Sequence, residues 1–427
     1  MTTVLGAPGQ AERSLGGVRS RELAATYGTP LLVIDTMVLD ANLTRFADLG
    51  SKHDIDVTYA GKALLLIALA ERIGRTPLGL DVCSLGELTI AERAGVPANR
   101  IAFHGCGKTD EELQAALDGR VGRIVVDNRE ELDRLISLAN AEHTLSILLR
   151  MNVGIEAHTH DYVRTGGEGS KFGFAPDALE ATIAAILAAP GLQFVGFHSH
   201  IGSQIFEAES FCANVRELLG LVARARALGC EVGEVIAGGG FGVGAHPNDQ
   251  PLDLESTIAA MQQALTQEAQ RLRVPVPQLG IEPGRAIIAD AGTSLYRVVA
   301  VKRIGSRRYA IVDGGLADNP RPLLYDAYHH PELAAREDGT LSTAPLIDTT
   351  LCGRSCENDE FVTAPLPEDL RAGDLLAIYT TGAYTYSMAS NYNRFPRPAV
   401  VFAGNGRHRL VARRETLEDL LRVDVPD

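Results

Sequence analysis

Lys62 stands out because of the residues around it. It interrupts the stretch TYAGKALLLIALAERI (58–73), in which a strand-like apolar run leads into a nearly continuous apolar helix face. An ammonium group surrounded by apolar residues is poorly solvated, which lowers its pKa. Such a lysine is a nucleophilic amine suited to Schiff-base formation. Taken alone, a lysine at the end of a strand is more often a solvated surface residue.

Several other chemically capable residues also follow strand-like apolar runs: Asp81, His104, Arg150, His200, the glycines 238–240, Glu282 and Arg285. Glycine-rich backbone offers converging N–H groups to a phosphate, and Ser203 could add a hydroxyl donor. Glu282 could pair with a protonated ring nitrogen, and His200 could lie against the ring face. A lysine, a phosphate cradle and a carboxylate together describe a site for pyridoxal 5'-phosphate (PLP). Each residue alone has an ordinary structural interpretation, and their joint placement favours the site.

Strands that alternate with helices must position these residues. The predicted strands are DVTYAGK (56–62), GLDVCS (79–84), RIAFHG (100–105), RIVVDN (123–128), SILLRMN (146–152), FVGFHSHIG (194–202), EVIAGGGFG (234–242) and QLGIEPG (278–284). The segments between them show helical periodicity and acidic first turns. This alternation indicates parallel strands with right-handed crossovers. Eight units in about 250 residues fit a (β/α)8 TIM barrel, whose active site lies at the carboxyl ends of the strands. A doubly wound open sheet is the alternative.

After residue 290 the pattern changes to strand-like segments with little helix, which indicates a separate all-β domain. We therefore predict an α/β chain with a PLP-binding barrel over residues 37–290. Residues 1–36 and 291–427 would form a C-terminal all-β domain of barrel or sandwich type. The early strand TPLLVIDT (29–36) is compatible with either part. Residues 154–175 form a long polar insertion, and loops of that length are usually functional.

The bulk composition excludes some classes of function. The chain has 427 residues, 45% hydrophobic and 22% charged, with a formal charge of -14. This acidic excess argues against a nucleic-acid surface. The longest apolar run is too short to span a bilayer, no secretory signal is visible, and the six cysteines form no CxxC pair. We expect a cytoplasmic protein with reduced thiols, no membrane or nucleic-acid partner and no metal site.

The motifs, taken in order, are similar to those of a known family. They are GTPLLVID (28–35), YAGKA (59–63), DVCSLGEL (81–88), FHGCGKT (103–109), EAHTHDYVRTGGEGSKFGF (156–174), HSHIGSQ (198–204), GGGFG (238–242), EPGR (282–285), VDGGLADNPRPLLY (312–325), CGRSCE (352–357) and GAYTYSMASNYN (382–393). The chain resembles the group III, alanine-racemase-like barrel, PLP-dependent decarboxylases, and most closely the diaminopimelate decarboxylase family. The resemblance extends from residue 28 to residue 421.

The resemblance implies a role for each candidate residue. Lys62 would hold the cofactor covalently, His200 would stack on its ring, and Glu282 would pair with the pyridine nitrogen. The other residues implied to bind the cofactor are Asp81, Arg150, Ser203, Gly239, Gly240, Gly284, Arg285 and Tyr384. Cys356 and Glu357 would reach in from the second subunit of a homodimer. There Cys356 would protonate the carbanion left by the loss of carbon dioxide.

The resemblance also implies an amino-acid substrate, meso-2,6-diaminopimelate, and its product, L-lysine. Diaminopimelate carries an amine and a carboxylate at its far end, so its site needs a cation and an anion there. Arg285 and Arg321 can hold the distal carboxylate with fork geometry. Tyr325 adds a hydroxyl, and Glu357 can hold the distal ammonium. Tyr384 is the remaining residue predicted to bind the substrate. Without the resemblance, Arg321 is also compatible with a plain surface arginine.

The sequence departs from the family pattern at a few positions. Relatives usually have HGNNK where this chain has Cys106 and Gly107. They usually have an aspartate four residues after the catalytic cysteine, where this chain has Glu360 preceded by Asp359. The alternatives are a related decarboxylase acting on arginine, ornithine, lysine or a carboxylated polyamine, a PLP racemase, and a non-catalytic PLP-binding protein. Cys356 argues against the racemase, and the matched β-domain argues against the non-catalytic protein.

Overall fold

The protein is described by a computed structural model over residues 12–140, 143–155, 170–246, 249–250, 252–340 and 342–426. The chain forms two compact units. The first, called the β-domain below, comprises Met1–Asn42, Gly244–Asp249 and Ile288–Asp427. The second, called the barrel, comprises Leu43–Val243 and Gln250–Ile287. The assignment of residues 37–290 to a cofactor-binding domain remains a prediction.

Strands and helices follow one another along the chain within these bounds. The strands are β1 (Ser14–Leu15), β2 (Val18–Arg19), β3 (Leu31–Asp35), β4 (Ile55–Ala60), β5 (Gly79–Val82), β6 (Ile101–Phe103), β7 (Arg123–Val126), β8 (Leu145–Arg150), β9 (Leu192–His198), β10 (Glu234–Ile236), β11 (Gln278–Ile281), β12 (Gly292–Ile304), β13 (Arg307–Val312), β14 (Pro331–Ala335), β15 (Leu346–Cys352), β16 (Glu360–Pro367), β17 (Leu375–Tyr379), β18 (Ala399–Gly404) and β19 (Arg407–Ala412). The α-helices are α1 (Ser20–Tyr27), α2 (Thr36–His53), α3 (Ile67–Gly74), α4 (Leu85–Arg93), α5 (Asp110–Leu117), α6 (Arg129–Leu138), α7 (Leu179–Ala188), α8 (Ala208–Ala227), α9 (Leu254–Leu272), α10 (Arg285–Ile288), α11 (Arg321–Tyr325) and α12 (Leu417–Leu421). Short 3-10 helices span Gly61–Ala63, Ala98–Arg100, Pro176–Ala178, Tyr386–Met388 and Tyr392–Arg394.

Strands β4 to β11 close into a parallel barrel in sequence order, which confirms the predicted TIM barrel over the open sheet. All eight predicted strands are present, and each ends earlier than predicted. Asp81 and Arg150 lie on β5 and β8, whereas the other candidate residues of the barrel follow the strand ends. Polar side chains start the helices after β5 and β7. Ser84 accepts the Glu87 N–H, and Asn128 accepts the Glu131 N–H. The sequence therefore defines both ends of these connections.

The β-domain is built on a sheet with the strand order β16-β15-β13-β12-β3-β18-β19, and β17 pairs with β12 and β14. The early strand β3 pairs with β12 and β18, so it belongs to this domain. Strands β14 and β16 were not predicted, because both contain proline, which is typical of edge positions and weakens the strand signal. The core packs apolar residues of β12, β13, β15 and β17 together.

Residues 156–169 of the predicted polar insertion lie outside the described residues. The described residues beside them hold a short parallel bridge between Met151 and Phe174, which follows directly on β8. No helix within the described residues combines the length and apolarity needed to cross a membrane.

Candidate active site

Lys62 lies on the turn that follows the first barrel strand. β4 ends at Ala60, and the 3-10 turn Gly61–Ala63 carries the lysine. A Cβ at Gly61 would lie 2.5 Å from a carbonyl oxygen of the neighbouring strand, so this turn requires glycine. The side chain of Lys62 is exposed, whereas the residues on either side are buried. The expectation of a desolvated lysine is therefore wrong for this chain, because only the flanking apolar residues are packed.

The charge of Lys62 nevertheless acts on groups at the neighbouring strand ends. Burial raises the pKa of Asp81 to about 6, and Lys62 is among the groups that oppose this rise. Burial also raises the pKa of Glu87, again opposed by Lys62. The pKa of His200 lies well below its usual value because of burial and the charges of Lys62 and Arg150. The lysine thus faces the carboxyl end of the barrel, where we predicted the site.

A cradle for an anion follows β9 and β10. A Cβ at Gly239 or Gly240 would lie 1.7 or 2.0 Å from a carbonyl oxygen of an adjacent loop, so both positions require glycine. The Gly240 position also approaches Cα of Ser203, at 3.3 Å from the same hypothetical Cβ. Nη2 of Arg285 donates to Oγ of Ser203 at 3.1 Å. A guanidinium, a hydroxyl and glycine backbone are groups that bind phosphate, so their chemistry fits the phosphate of PLP.

Glu282 lies in a buried network with two histidines and a second carboxylate. Nε2 of His198 lies 3.0 Å from Oε2 of Glu282. Nε2 of His104 lies 3.2 Å from Oε1 of Glu282 and 3.3 Å from Oδ1 of Asp81. The two imidazole rings meet edge to face with centroids 5.0 Å apart. His104 therefore lies between the carboxylates of Asp81 and Glu282, and His198 contacts the other carboxylate oxygen of Glu282.

His104 holds the positive charge of this network. Burial alone would lower its pKa, but Asp81 and Glu282 outweigh burial and raise the pKa to about 9. Burial lowers the pKa of His198 to about 4, so this ring is neutral and donates through Nε2. Its Nδ1 has no hydrogen-bond partner within the described residues. If His198 were a cation, this nitrogen would carry a buried N–H without a partner. The neutral ring leaves an unpaired acceptor there, which costs less free energy.

The ionisation of Glu282 follows from its neighbours. Burial would raise its pKa, but the two histidines hold that pKa well below the usual range. Glu282 is therefore a carboxylate, as pairing with a protonated ring nitrogen requires. The ligand atoms of His104, His198 and Glu282 lie within 4.8 Å of one another, a spacing that a metal ion could use. Metal ligation requires neutral histidine, so we interpret the cluster as a charged network, in which His104 is ion-paired with Asp81 and Glu282 and His198 is hydrogen-bonded to Glu282.

His200, Arg150 and Gly284 surround this network. Nδ1 of His200 lies 3.5 Å from a backbone N–H of the glycine turn. The guanidinium of Arg150 lies 4.3 Å from the ring centroid of Phe172, and burial lowers the pKa of Arg150. A Cβ at Gly284 would lie 3.0 to 3.1 Å from two alanine side chains beside Lys62. The segment after β11 therefore packs closely on the turn that carries Lys62.

In the β-domain, Arg321 lies against two tyrosines. It starts α11 and is only 6% exposed, so its interpretation as a surface arginine is wrong. Its guanidinium carbon lies 5.1 Å from the ring centroid of Tyr325 and 5.5 Å from that of Tyr384. These distances are typical of cation–π contacts, which orient a guanidinium. The structure thus brings three of the predicted substrate residues together.

Cys356 and Glu357 lie on the exposed tip of the hairpin formed by β15 and β16. The N–H of Cys356 donates to Oδ1 of Asn393 at 3.2 Å. The hydroxyl of Tyr392 donates to Oε1 of Glu357 at 2.5 Å. Both partners belong to the segment 382–393 that was recognised as a motif, although neither was predicted as a site residue.

The predicted residues therefore form groups within each unit, and the roles given to them remain predictions. From the sequence, His198 was not identified as a candidate. His104 and Asp359 were named, but no role was predicted for either residue. The signal for His198 was available in the motif FHSHIG. Residues two apart on a strand face the same side, so the predicted strand 194–202 pairs His198 with His200, although β9 itself ends at His198.

Comparison with known proteins agrees with this geometry. Residues 40–289 match the family model described as pyridoxal-dependent decarboxylase, pyridoxal binding domain. Diaminopimelate decarboxylase of Actinosynnema pretiosum subsp. auranticum is 43% identical, over 97% of this chain and 93% of the relative. The Bacillus subtilis enzyme of that name is 42% identical, over 96% of this chain and 95% of the relative.

Solved structures show the same similarity. Diaminopimelate decarboxylase of M. jannaschii superposes with a TM-score of 0.89 at 29% identity, covering 99% of this chain and 98% of that one. The Helicobacter pylori enzyme complexed with L-lysine gives 0.86 at 30% identity, covering 94% and 98%. A Vibrio vulnificus lysine/ornithine decarboxylase gives 0.75 at 22% identity, covering 91% and 97%, which shows the fold alone. By the family model and these relatives, the chain belongs to the diaminopimelate decarboxylase family of the pyridoxal-dependent decarboxylases, and its cofactor is PLP.

Proposed function

We propose that the protein decarboxylates meso-2,6-diaminopimelate to L-lysine and carbon dioxide, as a step of lysine biosynthesis. The curated relatives named above carry this activity in their names. The Helicobacter pylori enzyme was crystallised with L-lysine, the amino acid that this reaction would release. The proposal includes a cytoplasmic homodimer with shared active sites.

The observation that carries the substrate assignment is the burial of Arg321 against Tyr325 and Tyr384. A guanidinium held between aromatic rings is a fixed cation with a fork of donors, which suits a carboxylate. The decarboxylation of ornithine or lysine requires no cation at the far end of the substrate. Diaminopimelate requires a cation for its distal carboxylate and an anion for its distal ammonium. Glu357, reaching in from the second subunit, would supply that anion.

When bound, PLP supplies an electron sink for the bond that breaks at the substrate carbon. Lys62 would hold the cofactor at the barrel mouth, and Ser203, Gly239, Gly240 and Arg285 would bind its phosphate. Glu282 would accept the ring N–H. The cation of His104 and the Nε2–H of His198 keep Glu282 ionised, so the proton at this position would stay on the ring nitrogen.

Cys356 would supply the proton that replaces the lost carboxyl group at the substrate carbon. Its thiol lies on an exposed hairpin tip, so within one chain it is open to solvent. A shared site in a homodimer would enclose this tip, so the exposed position of Cys356 in one chain is compatible with its contact to the other chain's substrate. Enclosure also excludes water, so the proton would come from Sγ of Cys356.

The test is to supply the purified protein separately with meso-diaminopimelate, lysine, ornithine and arginine, and to identify the amine product. We expect L-lysine from diaminopimelate and little turnover of the others. Loss of a charge-assisted hydrogen bond from a buried group is worth roughly 2–5 kcal/mol. Arg321→Ala should therefore reduce kcat/KM for diaminopimelate at least tenfold, since about 1.4 kcal/mol is a factor of ten. Arg307→Ala, which removes an arginine paired on the domain surface, is the matched control and should change little.

The outcomes separate the alternatives. A preference for ornithine, lysine or arginine would overturn the substrate assignment and leave the cofactor intact. Equal weakening of every substrate by Arg321→Ala would show that this arginine supports the fold and does not recognise the distal carboxylate. Racemisation without release of carbon dioxide would favour the racemase alternative.

A further inference from the structure

Asp359 closes the loop that carries Cys356. This loop, residues 353–359, joins β15 to β16. The N–H of Gly353 donates to the carbonyl oxygen of Asp359 at 2.7 Å, and the N–H of Asp359 donates to that of Glu357 at 2.8 Å. The pairing of β15 with β16 shifts register next to these hydrogen bonds, between Leu351 and Cys352. The backbone of Asp359 therefore defines where the loop ends.

Asp359 differs from the loop residues before it in being buried. Asp359 is 3% exposed, while the three residues before it are exposed. Its Oδ1 accepts the N–H of Leu316 at 2.9 Å. A Cβ at Gly315 or Gly353 would lie 2.3 or 2.2 Å from Oδ2, so two glycines leave the space that the carboxylate fills. Burial raises its pKa, which Leu316 and Ser355 oppose.

This contact connects two loops that carry predicted site residues. Leu316 belongs to the segment 313–319, which leads directly into α11 and therefore to Arg321. The same segment accepts the N–H of Ser390 at the carbonyl oxygen of Ala317, at 2.8 Å. Through Asp359 the tip with Cys356 is thus fixed relative to the loop that precedes Arg321.

Glu360, the residue at the fourth position after Cys356, has a different environment. Its Oε2 lies 2.8 Å from Nη2 of Arg307, and the two side chains are 31% and 53% exposed. Exposed pairs of this kind contribute little to stability. Nothing in this contact reaches the loop tip.

We propose that Asp359 is the positioning residue for Cys356 and Glu357 in this chain, and that Glu360 does not share this role. The inference rests on the proposed function, in which Cys356 supplies the proton. In this inference Asp359, the third residue after Cys356, anchors the loop. Glu360, the fourth residue, only makes a contact at the surface.

The experiment compares Asp359→Ala, Asp359→Asn and Glu360→Gln as holoenzymes. Hydrogen exchange measured by mass spectrometry reports on the amides of residues 353–358 and on Leu316. Alkylation of Cys356 is followed on the tryptic peptide 355–371, which contains no other cysteine. Asp359→Ala should lose protection in this loop, change the alkylation rate and lower kcat at least tenfold, while the affinity for PLP stays within threefold. A 1 Å misplacement of a reacting group can cost about a hundredfold.

Asp359→Asn retains an oxygen that can accept the Leu316 N–H, so it should recover most of the loop protection and of kcat. Glu360→Gln should behave like the wild type. If Asp359→Ala does not fold, Gly353→Ala replaces it, because the added Cβ would displace the carboxylate and should give the same exchange pattern. Unchanged protection and kcat in Asp359→Ala, or equal effects at 359 and 360, would overturn the inference. Wild-type protein that releases no lysine would refute the proposed function, and the exchange measurement would still test the anchoring.

Discussion

Replacing His104 by glutamine tests the charge of the buried network directly. The pKa of His104 is raised from 6.5 to about 9 by Asp81 and Glu282, against the effect of burial. Because the folded pKa lies above the unfolded one, this proton stabilises the fold fully below pH 6.5, and the effect disappears as pH rises through 9. A difference of about 2.5 pKa units corresponds to roughly 3 kcal/mol at 1.36 kcal/mol per unit. Glutamine preserves a donor at this position and removes the charge.

The assay is equilibrium urea unfolding of the apoprotein from pH 7 to pH 9.5, a range above the pKa of about 6 at which Asp81 titrates. By linkage, the free energy of unfolding of the wild type should exceed that of His104→Gln by about 2.5 kcal/mol at pH 7. The difference should nearly vanish at about pH 9.5. The charges of Lys62 and Arg150 also act on members of this cluster, and both residues are present in the wild type and in the variant. Both proteins must unfold in one cooperative transition of the barrel for this comparison.

The matched control is His53→Gln, which removes a histidine whose Nε2 lies 2.9 Å from Oε1 of the half-exposed Glu255 on the same unit. It should cost at most about 1 kcal/mol. A difference below 1 kcal/mol for His104→Gln, flat across the pH range, would mean that His104 is neutral and the reasoning is wrong. A stoichiometric metal ion in the purified protein that is lost in His104→Gln would refute the network and establish a metal site.

Three further predictions concern the proposed cofactor site and its sharing between subunits. Borohydride reduction of the yellow holoprotein should fix the cofactor to the peptide containing Lys62, and labelling of another lysine would contradict that assignment. Gly240→Ala should weaken PLP binding at least tenfold, because its Cβ would lie 2.0 Å from a carbonyl oxygen, whereas Gly220→Ala, with open space around it, should leave binding unchanged. A mixture of inactive Lys62→Ala and Cys356→Ala proteins should regain activity through hybrid dimers, and demonstrated subunit exchange without recovery would exclude a shared site.

The barrel was predictable because each strand is a short apolar run that ends in a polar residue. Hydrophobic patterning fixes where a strand lies, and parallel strands place their carboxyl ends at one face. The exposure of Lys62 was not predictable from the same pattern. Its neighbours are buried, but the 3-10 turn after β4 depends on a close approach between Gly61 and the adjacent strand.

The buried network could be predicted only in part. Glu282 and Asp81 were identified by their positions at strand ends, but their partners depend on which loops meet in space. His104 directly follows β6 and His198 ends β9, and these two strands are not adjacent in the barrel. Pairing of this kind arises from barrel closure and not from local sequence. In the β-domain, the burial of Arg321 likewise depends on Tyr384, a residue 63 positions away in the chain.

The departure from the family pattern at Cys106 and Gly107 has a physical explanation in the structure. Residue 106 contributes its backbone carbonyl, which accepts the side chain of Asn128 at 3.2 Å and which any residue provides. A Cβ at Gly107 would meet nothing within 4 Å, so the fold does not select the residue there. Lys108 differs, since its buried ammonium donates to Glu131 Oε1 at 2.9 Å and to two carbonyl oxygens.

A buried cation that loses its partner costs several kcal/mol, so the fold requires the pair formed by Lys108 and Glu131 of α6. Together they hold the loop after β6 against the first turn of α6. His104 begins that loop, and its shared contacts with Asp81 and Glu282 need the loop to stay in place. The same distinction separates Asp359 from Glu360 in the β-domain. At both places the buried charged group makes the contacts that hold its loop, whereas Gly107 has open space around it and Glu360 is partly exposed.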